Sequence, residues 1–439
     1  MGDLSFMKEE RLLLIRLFLK WEKSRFLSRL IEGENLSPFI LFHLRGVIEN
    51  LLYIDYALKQ YLKKKPGKET QWILRLAFHE LLFGEKSPDY AVTHEAVRLA
   101  SRLDPGKKGL VNAVVRNFIR DGKEVTLPVD EMQALSLRMS LPLWLTELLE
   151  KQYGRPSLEK ALLSLRNRRD YDIHINVEKT DPLSYKALLD KSRISYDEWN
   201  VGKAAAFRVH SSIRADELPG YEEGLFFVQD LGAQIAASLA LPVKGPFLDV
   251  GSAPGGKLMF LAPDFQGETV EALDISSRRL DRLTHNFERM GYPLPGLIVE
   301  DFLKYDPPGA FEKIFLDVPC SGLGVLSKKC DIAYRLTPEN LMSLKEIQQS
   351  FLEKAFSLLK PGGELIYSTC TLNRDENEGQ ITEFLSRHNS EASLEDLQLR
   401  KQLNHLPFHG IVFRQGFYQA LPPDFPGDGM FGAVVRRRG

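Results

Sequence analysis

Apolar residues recur every three or four positions through the first part of the chain. The recurrence is clear at residues 12–19, 73–81 and 92–100, and it places the apolar side chains on one face of a helix. Breakers such as Asp104-Pro105-Gly106 separate these stretches. The pattern predicts a separate all-α domain over residues 1–128.

The middle of the chain mixes two patterns. Residues 121–130 are polar, contain a proline and have no periodicity, which is typical of a linker. Farther along, residues 171–177 alternate large apolar and polar side chains, as a half-buried strand does. We expect a small α+β module over residues 129–222.

Beyond Gly224, short apolar runs alternate with amphipathic helical patterns of 10–20 residues. The candidate strands are residues 247–250, 270–274, 297–300, 313–316 and 364–368. This alternation indicates a doubly wound α/β sheet over residues 223–439. Ligands bind such sheets at the carboxyl ends of the strands, so the residues just after each strand are the candidates for chemistry.

Composition narrows the class of protein. With 439 residues, the chain exceeds a typical domain of roughly 100–200 residues. Its apolar fraction of 44%, charged fraction of 27% and net charge of −1 are those of a globular protein. Any nucleic-acid binding must therefore depend on local basic patches.

Three cysteines are too few for a disulfide framework and indicate a reducing compartment. The early apolar run at 12–19 contains Arg16 and follows Glu9 and Glu10, which fits neither a signal peptide nor a membrane span. We expect a cytoplasmic protein that does not contact membranes.

A glycine-rich loop, residues 251–257, follows the first predicted strand of the sheet. A phosphate-binding loop has the same spacing, but Leu258 stands where that loop needs a hydroxyl group for magnesium. The spacing of a dinucleotide fingerprint is absent. The third alternative is a pocket for S-adenosylmethionine, whose amino-acid end the loop backbone would surround.

The third alternative predicts an acidic residue at the end of the second strand, where it would bind the ribose hydroxyls. Asp274 stands there, and Asp301 follows the third strand, where it would face the adenine. A single aspartate in such a position is more often a helix cap or a turn residue. The prediction rests on the agreement of all three strands.

Two cysteines follow the fourth and fifth predicted strands, Cys320 and Cys370. A lone cysteine is usually a small buried apolar residue, which is our interpretation of Cys330. If the fourth and fifth strands are neighbours, both thiols lie beside the glycine loop, and burial alone explains them poorly.

Pyrimidine chemistry gives such thiols a role. Carbon 5 of cytosine is a weak nucleophile, and a thiolate that adds to carbon 6 turns the ring into an enamine able to attack a sulfonium methyl group. The proton on carbon 5 must then leave and the thiolate must be expelled, a step that a second acid or base assists. Asp317 is placed to bond the nitrogen edge of the ring. The base must be single-stranded or flipped out of a helix.

Metal chemistry is not expected. The pairs His79-Glu80 and His94-Glu95 lack the second histidine of a zinc-protease helix, because Phe83 and Arg98 stand at those positions.

Taken together, the motifs resemble those of RNA cytosine-5 methyltransferases, and more closely the bacterial Sun or RsmB subfamily, which carries a helical domain similar to NusB. The resemblance covers nearly the whole chain. Its segments are 228–230 with Gln234, 249–257, Asp274, Asp301, 317–322, 368–372, 376–378, 428–431 and, in the helical part, 109–117.

The resemblance implies an enzyme that methylates carbon 5 of a cytosine, in small-subunit (16S) ribosomal RNA, with S-adenosylmethionine as donor. By the same analogy Cys370 is the nucleophile and Cys320 assists product release. The residues implied to line the cofactor and base pocket are Gly251, Ser252, Ala253, Pro254, Gly255, Gly256, Lys257, Asp274, Asp301 and Asp317. The loop departs from the usual Cys-Ala-Ala-Pro-Gly-Gly-Lys-Thr at Gly251, Ser252 and Leu258.

Lys328 and Lys329, close in sequence to the first cysteine motif, are our first choice for RNA phosphate contacts. We expect a monomer that binds RNA and no metal. Three alternatives stay open: transfer RNA as the substrate, a non-catalytic RNA-binding protein with a vestigial fold, and a methyltransferase for small molecules or proteins. The last two classes have no chemical need for paired thiols.

Overall fold

A computed structural model describes residues 2–31, 34–84, 87–167, 170–201, 204–210, 213–397, 411–414 and 416–439. The chain divides into two compact units. One contains Met1–Glu159 and Lys328–Leu336, and the other contains Lys160–Ser327 and Thr337–Gly439. We call them the helical unit and the α/β unit. The three-part division at residues 128 and 222 stays a prediction.

The helical unit is built as the periodicity predicts. Side-chain caps begin two of its helices, where Ser37 accepts a hydrogen bond from the Ile40 amide and Asp130 from the Gln133 amide. The predicted linker lies between two helices. The helices are α1 (Gly2–Ser24), α2 (Ser28–Ile31), α3 (Pro38–Glu49), α4 (Leu51–Lys59), α5 (Lys68–Phe83), α6 (Asp89–Leu103), α7 (Lys108–Arg120), α8 (Glu131–Met139), α9 (Leu143–Tyr153) and α10 (Arg155–Asn167), which ends in the second unit.

The core of the helical unit forms around α5. Phe78 stacks on Phe118 of α7 with ring centroids 4.1 Å apart, and Trp72 stacks on Phe18 of α1 at 4.8 Å. Such aromatic pairs contribute about 0.5–1.5 kcal/mol beyond their buried area. The apolar face that the sequence pattern predicts is therefore the face that packs.

A segment from distant sequence, Lys328–Leu336, completes the helical unit. Cys330 is buried in its apolar core. The Leu27 amide donates to Asp331 Oδ2 at 3.1 Å, and the Tyr334 and Ser140 hydroxyls lie 2.9 Å apart. No local sequence pattern indicates this placement, because it depends on contacts between residues about three hundred positions apart.

The α/β unit contains a small antiparallel sheet with strand order β2-β3-β1-β4. Its strands are β1 (Tyr171–Ile175), β2 (Tyr196–Val201), β3 (Ala204–Val209) and β4 (Phe226–Val228), and α11 (Pro182–Lys191) packs with them. The strand expected at 171–177 is confirmed, although it ends at Ile175.

The second sheet of this unit carries the expected α/β alternation. Its strands are β5 (Phe247–Val250), β6 (Val270–Asp274), β7 (Gly296–Val299), β8 (Phe311–Asp317), β9 (Leu359–Thr369), β10 (Ala392–Leu394), β11 (Ile411–Arg414), β12 (Phe417–Ala420) and β13 (Met430–Arg437). The helices are α12 (Leu231–Ser238), α13 (Gly256–Leu261), α14 (Ser277–Met290), α15 (Pro338–Ser357) and α16 (Glu378–Arg387). Short 3₁₀ turns occupy Pro105–Lys107, Ala215–Glu217, Ala262–Asp264, Leu323–Val325 and Cys330–Tyr334.

The strand order of this sheet is β11-β12-β13-β9-β8-β5-β6-β7. Strands β7, β6, β5, β8 and β9 are parallel, and β13 joins β9 antiparallel. Strands β8 and β9, which precede the two cysteines, pair in parallel, so the condition for placing both thiols at one edge is met. The order reverses between β5 and β8, and such a switch point is where parallel sheets bind ligands.

Among the described residues, no helix has both the length and the apolar character needed to cross a membrane.

Candidate active site

The glycine-rich loop joins β5 to α13 at the carboxyl edge of the sheet, where the sequence predicts it. The amides of Gly251 and Ser252 both donate to the carbonyl of Leu273 on β6, at 2.9 and 3.3 Å. The Gly255 amide donates back to the Ser252 carbonyl at 2.8 Å. The backbone of the loop is therefore fixed against the neighbouring strand.

The departures of this loop from the usual motif have structural explanations. Gly251 has a φ of +76°, and a Cβ atom there would lie 2.7 Å from the Asp317 carbonyl oxygen. Only glycine fits this approach without displacement. The Ser252 hydroxyl donates to the Asp249 carbonyl, and Leu258 is fully buried in the apolar core. The side chains of Ser252 and Leu258 thus serve the fold of the loop.

Asp274 ends β6 with a buried carboxylate that is half satisfied. Its Oδ1 accepts from the Ser276 amide at 2.9 Å and from Arg279 Nη2 at 2.6 Å. Its Oδ2 has no hydrogen-bond partner in the described protein. A buried acceptor without a donor is costly, so this oxygen suits a ligand hydroxyl group such as those of a ribose.

Asp301 lies two residues beyond the end of β7, and its side chain caps a turn. Its Oδ1 accepts from the Leu303 amide at 3.1 Å, which is the local role that a single aspartate most often has. Its predicted contact with adenine stays a prediction.

Two buried polar groups beside the loop received no role from the sequence. The Oδ2 atom of Asp249 on β5 has no hydrogen-bond partner in the part of the chain that the structure describes. Burial together with the nearby charge of Asp317 raises the pKa of Asp249 to about 7. Gln229 is buried, and both polar atoms of its amide also lack a partner in the described chain. With Asp274, these groups give the loop region unsatisfied donors and acceptors, which fits a polar cofactor such as S-adenosylmethionine.

Lys257, expected only as a member of the loop, reaches across to β8. Its ammonium nitrogen lies 2.5 Å from Asp317 Oδ2. Burial opposes the charge on Lys257, but the negative charges of Asp317 and of ionised Cys370 outweigh it, and the pKa of Lys257 is raised. A fixed positive charge therefore lies within electrostatic reach of the Cys370 sulfur.

The sulfur atoms of Cys320 and Cys370 are 3.4 Å apart, and both residues are half-buried, unbridged thiols. The hydrogen bond to Cys370, then burial and the charges of Cys370 and Glu376, raise the pKa of Cys320 well above its usual value. The Gly324 amide donates to the Cys370 carbonyl at 3.0 Å, which ties the two loops together. This arrangement favours the protonated form of Cys320.

Lys328 and Lys329 are exposed, and they belong to the helical unit. Their contact with RNA stays a prediction. Cys330, three residues from the end of the α/β segment, is buried, and burial raises its pKa to about 12, which agrees with its interpretation as an apolar residue. In the part of the chain that the structure describes, no group of three or more potential metal ligands occurs.

Two family models match the chain. The model of the 16S rRNA methyltransferase RsmB/F matches residues 236–436, and the NusB family model matches residues 8–120. The first range contains every residue of the glycine loop and both cysteines of the pair. The second nearly coincides with the predicted helical domain.

Relatives match over almost the full length. The probable ribosomal RNA small subunit methyltransferase B of Bacillus subtilis (strain 168) is 30% identical over 406 residues, which cover 90% of this chain and 89% of that protein. The ribosomal RNA small subunit methyltransferase B of Pasteurella multocida (strain Pm70) is 29% identical, with coverage of 89% and 86%.

Solved structures share the fold. The crystal structure of PH0851 superposes with a TM-score of 0.77 at 23% identity, covering 93% of this chain and 92% of that one. NSun6 from Pyrococcus horikoshii, solved with SFG, superposes with a TM-score of 0.58 at 19% identity, covering 67% of this chain and 97% of that one. The fold expected from sequence is confirmed.

Proposed function

The chain belongs to the RsmB/F family of 16S rRNA methyltransferases, and on that basis we propose that it methylates carbon 5 of a cytosine in small-subunit ribosomal RNA through a covalent bond to Cys370. S-adenosylmethionine is the methyl donor, and it supplies an electrophilic methyl group on a sulfonium. Residues 251–257 would hold its amino-acid end, Asp274 its ribose and Asp301 its adenine.

The observation that carries the proposal is the thiol pair 3.4 Å apart beside the Lys257–Asp317 ion pair. The Cys320 S–H group donates to Cys370 and stabilises its thiolate, and the ammonium of Lys257 favours the same charge. The Cys370 thiolate adds to carbon 6 of the ring, and the displaced electron pair makes carbon 5 nucleophilic. Asp317, held by Lys257, bonds the nitrogen edge of the base.

Release reverses the addition. After carbon 5 has gained the methyl group, its proton passes to solvent, the electron pair of that C–H bond re-forms the double bond between carbons 5 and 6, and the bond from carbon 6 to Cys370 breaks. The departing sulfur is again a thiolate next to the Cys320 S–H group. Cys320 therefore stabilises the leaving group, and its loss traps the adduct.

The substrate class follows from the family and from the helical unit. We propose that residues 1–128, which contain the NusB match, bind RNA, that residues 129–222 form a second RNA-binding module, and that Lys328 and Lys329 contact phosphates. Phosphate contacts make binding weaker as salt rises. Transfer RNA remains the second substrate to test. We expect a cytoplasmic monomer.

The test uses two alanine variants of the full chain with small-subunit RNA and the methyl donor. Cys320→Ala is expected to accumulate an RNA–protein adduct that survives denaturing electrophoresis. Cys370→Ala is expected to bind the donor normally, form no adduct and transfer no methyl group. Methyl transfer by Cys370→Ala, or absence of an adduct from Cys320→Ala while wild type methylates, would remove the assigned roles.

A further inference from the structure

Glu376, in the loop between β9 and α16, is a fully buried carboxylate with an unusual number of donors. Its Oε1 accepts from the Ser321 hydroxyl at 2.5 Å and from Asn373 Nδ2 at 3.0 Å. Its Oε2 accepts from the Ser321 amide at 2.8 Å and from Gln348 Nε2 at 3.0 Å. Hydrogen bonds to charged groups are the strong ones, so this carboxylate is a rigid centre.

Ser321 of the Cys320 loop and Asn373 of the Cys370 loop both donate to Glu376, and Gln348 donates from α15. Ser321 directly follows Cys320, and Gln348 of α15 also donates to the carbonyl of Pro319, which precedes Cys320. On the other side, the hydroxyl of Thr371, which directly follows Cys370, lies 2.6 Å from the Ser321 hydroxyl. The backbone on both sides of Cys320 and the side chain that follows Cys370 are thus held by one group of hydrogen bonds.

We propose that Glu376 is a positioning residue for the reaction: its carboxylate fixes the two cysteine loops so that the sulfurs stay in contact, and it places a buried negative charge against Ser321, the residue next to Cys320. This inference rests on the proposed function. It assigns to Glu376 a role that acts through the two thiols and not through substrate or cofactor.

Charge and geometry agree in this role. Among the described residues, no lysine or arginine forms an ion pair with Glu376, so hydrogen-bond dipoles alone compensate its charge. A negative charge in a region shielded from water disfavours a second negative charge nearby. Besides the hydrogen bond to Cys370, burial and the charge of Cys370 itself, Glu376 is a cause of the raised pKa of Cys320.

The test compares Glu376→Gln with Asp375→Asn, which removes the same charge from the adjacent, exposed position of the same loop. Glu376→Gln puts an N–H group where a carboxylate oxygen accepted hydrogen bonds. This group faces other donors, so the two cysteine loops are expected to shift. We expect single-turnover methylation about 10²-fold slower, the loss that a misplacement of about 1 Å causes. Donor affinity is expected to stay at the wild-type value in both variants. Asp375→Asn is expected to methylate at the wild-type rate.

A second readout is independent of RNA and reports the charge near Cys320, and Ser321→Ala separates that charge from a shift of the loops. In a Cys370→Ala background, alkylation of Cys320 by iodoacetamide is followed against pH, with the modified peptide measured by mass spectrometry. Adding Glu376→Gln is expected to move the alkylation profile of Cys320 to lower pH, because the neighbouring charge is gone. Adding Asp375→Asn is expected to leave the profile in place.

Ser321→Ala covers the case in which Glu376→Gln does not fold. It keeps the charge and removes one link between the loops, so methylation is expected to slow while the alkylation profile stays in place. Wild-type methylation rates in both Glu376→Gln and Ser321→Ala, or an unchanged alkylation profile in folded Glu376→Gln, would overturn the inference. A wild-type protein that methylates no cytosine would instead refute the proposed function, and the alkylation measurement would still test Glu376.

Discussion

Two regions of the molecule give the cysteine side chain different environments. One surrounds Cys330, and the other surrounds the pair formed by Cys320 and Cys370. Cys330 is buried among apolar residues of the helical unit, and burial raises its pKa to about 12. The paired thiols are half-buried at the carboxyl edge of a sheet, in contact with each other and near a lysine. The environment, and not the residue type, determines whether a thiol is inert or reactive.

One buried ion pair of the helical unit differs from two buried carboxylates at the sheet edge. In the helical unit, Arg11 and Glu80 are both buried and form a bidentate pair whose shorter contact is 2.6 Å. At the sheet edge, one carboxylate oxygen of Asp249 and one of Asp274 are buried and have no hydrogen-bond partner among the described residues. The two open oxygens lie beside the glycine loop, where a polar ligand can supply the donors that they lack.

The largest effect is expected at the ion pair beside the thiols. Asp317→Asn removes the group that bonds the base and leaves the Lys257 ammonium without its partner. We expect single-turnover methylation to fall by about 10²–10⁴-fold, the range of an acid–base group in the transition state. Rapid-quench measurement of methyl transfer from labelled donor checks this.

Asp281→Asn on α14 is the matched control, because that carboxylate is exposed in the same unit. It is expected to react at the wild-type rate. If Asp317→Asn retained a rate close to that of this control, Asp317 would have no part in the chemistry. The sheet edge would then lose one of its proposed catalytic groups.

Local patterns explain which parts of this site can be predicted from sequence. The strands that carry Asp274, Asp317 and Cys370 are short apolar runs bounded by turns, and parallel strands place their carboxyl ends at one edge. Hence the edge and its residues follow from the sequence.

The partners within the site do not follow from local patterns. Lys257 reaches Asp317 across 60 positions of sequence, and Glu376 reaches Ser321 across 55. The burial of Cys330 in the helical core likewise depends on where residues 328–336 pack. Such contacts are fixed by the order of strands and by packing, which no window of sequence contains.

A second prediction concerns pH and the helical unit. His43 and His79 are buried with their Nδ1 atoms 3.0 Å apart. Burial and the charge of Arg11 lower the pKa of His43 to about 4. Burial and the proximity of His43 lower the pKa of His79 to about 3. Both rings are therefore neutral in the folded state at pH values where the unfolded chain is already protonated.

The protein is therefore expected to lose stability as pH falls. The free energy of unfolding is highest above a pH of about 6.5, the pKa of a histidine in the unfolded chain. It decreases as pH falls, until the folded state also binds protons, near pH 4 at His43 and near pH 3 at His79. Within this window each histidine lowers the free energy of unfolding by about 1.4 kcal/mol for each unit by which pH falls.

Hydrogen exchange of α3 and α5 between pH 7 and 5 measures this dependence. His79→Gln is expected to reduce the slope, and His94→Gln, whose side chain is 72% exposed, is expected to keep it. Equal slopes in both variants would show that the buried pair does not couple stability to pH.

The smallest effect is expected for Cys330→Ala. Removing the buried sulfur leaves a small cavity that costs about 1 kcal/mol of unfolding free energy. Methylation and adduct formation are expected to remain at wild-type levels, because Cys330 is outside the thiol pair. Denaturant unfolding measures the loss of stability, and the methylation assay measures the activity. A large loss of activity without a loss of stability would mean that the helical core is not merely a scaffold.

The central claim is that the RNA base becomes attached to Cys370. Digestion of the Cys320→Ala adduct with nuclease and trypsin, followed by tandem mass spectrometry, identifies the residue that carries the nucleotide. We expect a methylated cytidine nucleotide on Cys370. A nucleotide attached to any other residue would contradict it.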